Sequence, residues 1–99
     1  MKRAYKIKAK VWLYPGKDPW HFVTLPKKAS KDIDFYFAHA KRGWGSIRVT
    51  VTLGKTSWKT SIFPDKKKDS YILPLKAQVR KEEEIKEGDY INFSLELED

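Results

Sequence analysis

His21 and His39 are the residues of this 99-residue chain best suited to proton transfer or metal binding near neutral pH. They fall in different predicted elements, and no His, Cys or Asp cluster has metal-ligand spacing. The chain has no cysteine, and Gly43-Trp44-Gly45 lacks the preceding strand and following lysine of a phosphate-binding loop. The sequence therefore predicts no catalytic residue, no metal site and no cofactor, and we expect a protein that is not an enzyme.

The charge distribution indicates an anionic partner. The formal net charge is +8, and residues 1–81 hold 20 of the 21 Lys and Arg but 5 of the 13 Asp and Glu. A basic body with an acidic end is typical of proteins that bind nucleic acid or small anions. Lysine-rich surfaces also keep small proteins soluble and protect sheet edges, so this second interpretation stays open.

Lysines and a tryptophan share one face of the first predicted strand. Lys6, Lys8, Lys10 and Trp12 alternate with apolar residues, and 66–68 is a lysine-rich loop. Aromatic rings among cations can stack on bases while lysines neutralise phosphates. The nucleic-acid-binding candidates are Lys6, Lys8, Lys10, Trp12, Arg48 and Lys59. Alternatively, Trp12 packs under the aliphatic stems of the lysines.

Tryptophan is abundant, with four in 99 residues. If the chain forms a small barrel of two halves, as its order of elements predicts below, aromatic residues beside a cation can form a cleft between the halves for a small anion or a peptide carboxylate. The cleft candidates are Trp20, Trp44, Trp58 and Arg80. Alternatively, the tryptophans fill the barrel interior, as side chains do in small barrels.

Hydrophobic periodicity predicts the elements that must position these residues. Alternation with period two predicts strands, and an apolar stripe at Ile33 and Phe37 predicts a helix that Gly43 caps. The predicted strands are 5–13, 20–25, 45–53, 57–63, 71–73 and 91–97, and the predicted helices are 28–41 and 76–83. Pro15-Gly16, Asp18-Pro19 and Gly54-Lys55 are predicted turns.

The same periodicity predicts the core. Its members are the residues on the apolar face of each element. They are Tyr5, Ile7, Val11, Leu13, Phe22, Val23, Leu25, Ile33, Phe37, Ile47, Val49, Val51, Leu53, Ile62, Phe63, Ile72, Leu73, Val79, Ile91, Phe93 and Leu95.

One order of elements occurs twice. A strand ending in Leu25-Pro26 or Leu73-Pro74 leads to a short helix, a glycine and an alternating strand. Two such β-α-β halves fit a small barrel with internal pseudo-two-fold symmetry. The sequence therefore predicts a single domain over 1–99, mostly β, with a double-split β-barrel and two short helices.

Four stretches carry a resemblance to a known family. They are DPWHFVTLP at 18–26, GWGSIRV at 43–49, WKTSIFP at 58–64 and YILPLKAQVR at 71–80, with Gly88-Asp89 following. This ordered set resembles a bacterial and archaeal domain-of-unknown-function family. The resemblance implies a double-split β-barrel and no functional residues.

The second half is also similar to the swapped-hairpin motif of AbrB- and MazE-type regulators. Pro74, Arg80, Ile85, Gly88 and Asp89 carry this similarity. It implies a basic DNA-binding face, or an antitoxin-like interaction module that is a monomer or homodimer. The acidic residues 96–99 could then contact the basic face of another copy.

We expect a cytoplasmic protein without a membrane partner. Met1-Lys2-Arg3 is followed by a charged alternating strand and not by the apolar region of a signal peptide, and no apolar run reaches about 18 residues. The function predicted from the sequence is a non-catalytic binding module with a basic face, with nucleic acid as the first partner. The alternatives are a small anion or peptide in the tryptophan-lined cleft, and an antitoxin-like role.

Overall fold

The computed structural model describes residues 1–16 and 19–98, which form a closed six-stranded β-barrel with two α-helices. The strands are β1 (Lys2–Tyr14), β2 (Trp20–Thr24), β3 (Ile47–Leu53), β4 (Thr56–Asp65), β5 (Ser70–Pro74) and β6 (Tyr90–Glu98), and the helices are α1 (Lys27–Phe37) and α2 (Ala77–Glu82). The mostly-β prediction is confirmed. Two predicted features, the Asp18 part of a turn and Asp99 of the acidic end, lie outside the described residues.

The strand order β1-β2-β5-β4-β3-β6 makes the two halves of the chain equivalent. Each half runs strand, strand, helix, strand. β1 pairs first with β6 and then, from Val11, with β2; β4 pairs first with β3 and then, from Phe63, with β5. β2 pairs with β5, and β3 pairs with β6, so each of these strands is hydrogen-bonded to the equivalent strand of the other half. This arrangement is the predicted double-split barrel with its internal repeat.

The barrel interior is filled by side chains from every strand and from both helices. Alternation holds along β1, β3 and β6, where apolar residues point inward and polar residues outward, except that Trp12 and Tyr14 at the end of β1 lie on the outer face. The core includes four buried residues that the sequence-based list omitted. They are Tyr71, Leu75, Ile85 and Leu97.

Three predicted core residues were placed on the wrong side of the barrel. Phe22, Phe63 and Ile72 are only half-buried, and they lie on the outer face of the sheet. They belong to continuous apolar runs, which carry no period-two signal to tell one face from the other. Tyr5 and Leu13 face inward but are half-buried, because the Tyr5 hydroxyl reaches out to Asp32 and Leu13 lies next to the end of β1.

The first helix is shorter than predicted. α1 ends at Phe37, and the chain continues through 3₁₀ turns at Ala38–Ala40 and Gly43–Gly45. Gly43 therefore does not cap α1. Trp44 and Gly45 have φ values of 60° and 74°, which no strand accommodates, so β3 begins at Ile47 and not at position 45.

Polar contacts anchor α1 to the barrel. The Tyr5 hydroxyl and the Arg3 Nε donate hydrogen bonds to Asp32, and the Tyr71 hydroxyl donates one to Asp34. Tyr71 also donates its backbone N–H to Ser30 Oγ at 3.0 Å. Burial first, and then the contact with Asp34, raises the pKa of the Tyr71 phenol above its ordinary value.

The turn between β3 and β4 requires a glycine. Gly54 has a φ of 59°, and a Cβ there would lie 2.1 Å from Glu83 Oε1. Glu83 also accepts a hydrogen bond of 2.7 Å from Thr56 Oγ1. The end of α2 is thereby held against this hairpin.

Candidate functional site

An outer sheet face made by the end of β1, β2, β5 and the end of β4 carries aromatic side chains. The register pairs Trp12 with Phe22 and Tyr14 with Trp20, and it places Phe63 opposite Ile72. We call this surface the aromatic groove. It is defined by Trp12, Tyr14, Trp20, Phe22, Phe63 and the lysines 66–68, and its volume is about 950 Å³.

The rings of the aromatic groove contact one another. The Phe22 ring lies 5.2 Å from Trp12 and 6.1 Å from Trp20, centroid to centroid, and the second pair is nearly parallel at 11°. Tyr14 meets Phe22 edge-on at 6.5 Å. Trp20 and Tyr14 keep 60% and 57% of their surface exposed. The groove therefore offers two large, exposed aromatic faces on a supported base.

The turn between β4 and β5 holds three lysines beside these rings. The turn closes when Asp65 Oδ1 accepts a hydrogen bond from the Lys67 N–H at 3.1 Å. Lys68 Nζ then lies 3.7 Å from the centroid of the Trp12 ring and 3.4 Å from Thr24 Oγ1. Trp12 Nε1 donates to the same Thr24 oxygen at 2.9 Å. The groove thus combines apolar rings with a cationic rim.

The predicted lysine face lies on the other sheet, formed by β1, β6, β3 and β4. Lys6, Lys8 and Lys10 are exposed along β1, and the ammonium groups of the last two lie 5.9 and 6.0 Å from the Tyr90 ring. Glu96 is on the same face and pairs with Lys2 at 3.5 Å. This face is therefore of mixed charge.

The remaining predicted nucleic-acid residues are spread over two sheets. Arg48 on β3 and Lys59 on β4 are exposed but separated from the β1 lysines by β6. Of the six predicted nucleic-acid-binding residues, only Trp12 belongs to the aromatic groove. The lysine that contacts the Trp12 ring is Lys68 of the 66–68 loop, and this contact depends on strand register and has no signal in the local sequence.

The predicted tryptophan cleft is only partly assembled. Trp20 and Arg80 line one pocket of about 660 Å³. Trp44 is 93% exposed at the tip of its turn, whereas Trp58 packs against the core from β4. The structure therefore does not bring Trp44 and Trp58 together, because the alternation of β4 points Trp58 inward.

His21 also lines the pocket that contains Trp20 and Arg80. Its Nδ1 is buried, and none of the described residues provides it with a hydrogen-bond partner. Burial first, and then the positive charge of Arg80, lowers the pKa of His21 from 6.5. Both effects favour the neutral imidazole.

The described part of the chain shows no group of three or more His, Asp or Glu side chains that could hold a metal ion. No helix within residues 1–16 and 19–98 is long and apolar enough to cross a membrane. Among the described surfaces, the aromatic groove and the adjoining pocket combine aromatic rings with cations.

One family model matches nearly the whole chain, including the residues of the aromatic groove and of the adjoining pocket. The family model described as Domain of unknown function (DUF1905) matches residues 8–95. The chain belongs to this family. The DUF1905 match confirms the resemblance to a domain of unknown function, and it includes the aromatic groove and the pocket with Arg80. No curated protein matches the chain.

Proposed function

We propose that this DUF1905 protein is a non-catalytic module that binds single-stranded nucleic acid in the aromatic groove. The observation that carries the proposal is the juxtaposition of exposed aromatic rings and a lysine turn on one sheet face. Trp20 and Tyr14 provide the rings, and Lys68 reaches the edge of the groove over Trp12.

Stacking on the rings would supply sequence-tolerant affinity. Every base has a flat π-face, and one base stacked on an aromatic side chain contributes about 1–3 kcal/mol. Tyr14 and Trp20 are a cross-strand pair, so their exposed faces are neighbours that can receive adjacent bases. A duplex would not expose its bases to them.

The lysines would supply the electrostatic part of the affinity. Lys66, Lys67 and Lys68 are all exposed, and the net charge of +8 favours encounter with a polyanion. Neutralising phosphates releases bound counterions, which makes such binding salt-dependent. In this arrangement the phosphates would contact the lysines 66–68, and the bases would stack on the aromatic rings of the groove.

Two further features of the sequence support this function. The similarity of the second half to AbrB- and MazE-type regulators, carried by Pro74, Arg80, Ile85, Gly88 and Asp89, points to proteins that bind DNA. The lack of cysteine supports a cytoplasmic location, where single-stranded RNA is abundant, because small secreted domains commonly depend on disulfides.

The test compares two exposed tyrosines on opposite sheets. Tyr14→Ala removes a ring of the aromatic groove, and Tyr90→Ala removes a ring, 65% exposed, from the lysine face. Affinity for a labelled oligothymidine of about 12 nucleotides is measured by fluorescence anisotropy, with tryptophan emission recorded in parallel. We expect Tyr14→Ala to weaken binding about 5- to 150-fold, and Tyr90→Ala to leave it unchanged.

Three results would contradict the proposal. No binding at moderate salt would show that the net charge serves only solubility. Equal losses from Tyr14→Ala and Tyr90→Ala would place the strand outside the groove. Tight binding of peptides in the groove, with no competition by oligonucleotides, would make it a peptide site.

A further inference from the structure

A second pocket adjoins one end of the aromatic groove. Pro19, His21, Lys76 and Arg80 line it, and it shares Trp20 and Pro74 with the groove. We call it the end pocket. Its volume of about 660 Å³ is in the range of sites that accept a small ligand or one terminal nucleotide. A strand lying in the groove would therefore reach the end pocket at Trp20.

The end pocket is positively charged. Lys76 and Arg80 contribute two cations, and no acidic residue is among the described side chains that line it. The Nε of Arg80 donates a hydrogen bond of 3.2 Å to the Leu75 carbonyl, which fixes the orientation of the guanidinium plane. No described carboxylate lies within salt-bridge distance of Arg80. A guanidinium held in this way suits a phosphate, which it can contact with two N–H groups.

His21 and Arg80 line the same pocket, so His21 is placed to respond to the charge of Arg80. Arg80 lowers the pKa of His21, after the larger effect of burial, whereas Glu87 and the backbone at Pro19 act in the opposite direction. An anion bound beside Arg80 would offset its charge. The pKa of His21 would then rise, which provides a direct reporter of anion binding in the end pocket.

We propose that the end pocket binds the terminal phosphate of a single strand whose adjacent bases stack in the aromatic groove. This inference rests on the function proposed above. A terminal phosphate monoester carries nearly two negative charges at neutral pH, whereas an internal phosphodiester carries one. Two cations in a pocket with apolar walls favour the terminal group, because its second negative charge strengthens the attraction and its third free oxygen can contact Lys76 while two others contact Arg80.

The experiment uses three oligothymidines of about eight nucleotides, with a 5′ phosphate, with a 3′ phosphate, or with hydroxyls at both ends. We expect a phosphate at one of the two ends to improve affinity about tenfold over the hydroxyl strand. Arg80→Gln should abolish this preference, and Lys76→Gln should reduce it. Lys59→Gln, which removes one exposed cation from the other sheet, should retain it. The pKa of His21, followed by NMR, should rise only with the preferred strand.

The outcomes separate the two proposals. Equal affinity for all three strands, with Tyr14→Ala still weakening each of them, would overturn the end pocket and leave the groove in place. A preference that persists in folded Arg80→Gln and Lys76→Gln variants would place the phosphate elsewhere and overturn it as well. If Arg80→Gln fails to fold, Arg80→Lys keeps the charge and should lose most of the preference with its second N–H contact. Absence of binding by any strand would overturn both proposals.

Discussion

Removing the three lysines of the 66–68 turn tests where the phosphates lie. The variant is Lys66→Gln, Lys67→Gln and Lys68→Gln together, and all three side chains are exposed, so we expect the barrel to fold. Each phosphate contact with a single strand contributes about 0.7 to the slope of log affinity against log salt. Three lost contacts should therefore lower the slope by about 2.

This change in slope corresponds to a large difference in affinity. When salt rises from about 50 to 200 mM, the wild-type protein should lose about 18-fold more affinity than the variant. The assay is anisotropy of labelled oligothymidine at several salt concentrations. Thermal unfolding of the variant should change little, because the cation–π contact of Lys68 with Trp12 contributes about 0.5–1 kcal/mol.

A second triple variant is the matched control. Lys6→Gln, Arg48→Gln and Lys59→Gln remove the same charge from exposed positions on the opposite sheet. The control should lower the overall affinity slightly through the long-range field and leave the slope nearly unchanged. An equal fall in slope from both triples would refute our placement of the strand in the groove. A fall from the control alone would move the site to the lysine face.

Three further predictions concern the scaffold and the end pocket. Val49→Asp places a charge at a position 4% exposed and should cost more than about 4 kcal/mol, so a melting temperature near that of the wild type would refute the β3 register. Tyr71→Phe should lower the free energy of unfolding, measured in urea, by about 1 kcal/mol because it loses the hydrogen bond to Asp34. The control Tyr90→Phe, at an exposed site, should cause no measurable change. Equal effects of the two variants would contradict a stabilising role of the Tyr71–Asp34 hydrogen bond. The pKa of His21 is lowered in the folded protein, so the unfolded chain takes up the proton first and stability should fall as the pH drops below about 6.5. His21→Gln should show a smaller loss of stability between pH 7 and pH 5. An unchanged loss would contradict burial of the imidazole.

Periodicity in the sequence was sufficient for most of the fold. Along β1 and β3, polar and apolar residues alternate. This alternation alone determines which face of each strand points into the barrel and which points to solvent. The two Leu-Pro pairs, at 25–26 and 73–74, marked equivalent points of two halves that the strand pairing then joins. Helix ends were less predictable, since α1 stops at Phe37 where the buried stripe ends, four residues before position 41.

The candidate site depended on tertiary structure to a much greater extent. The sequence showed that Trp12 points outward with the β1 lysines, that Trp20 and Arg80 were site candidates, and that 66–68 was a basic loop. It carried no information on which of these meet, because Trp12 and Lys68 are brought together by the pairings of β1 with β2 and of β4 with β5. Strand pairing also places Phe22 on the outer face. A continuous apolar run does not itself indicate which of its residues point inward, so the neighbouring strands decide this. Local alternation thus determined the strands, whereas long-range register decided which aromatic rings and cations share a surface.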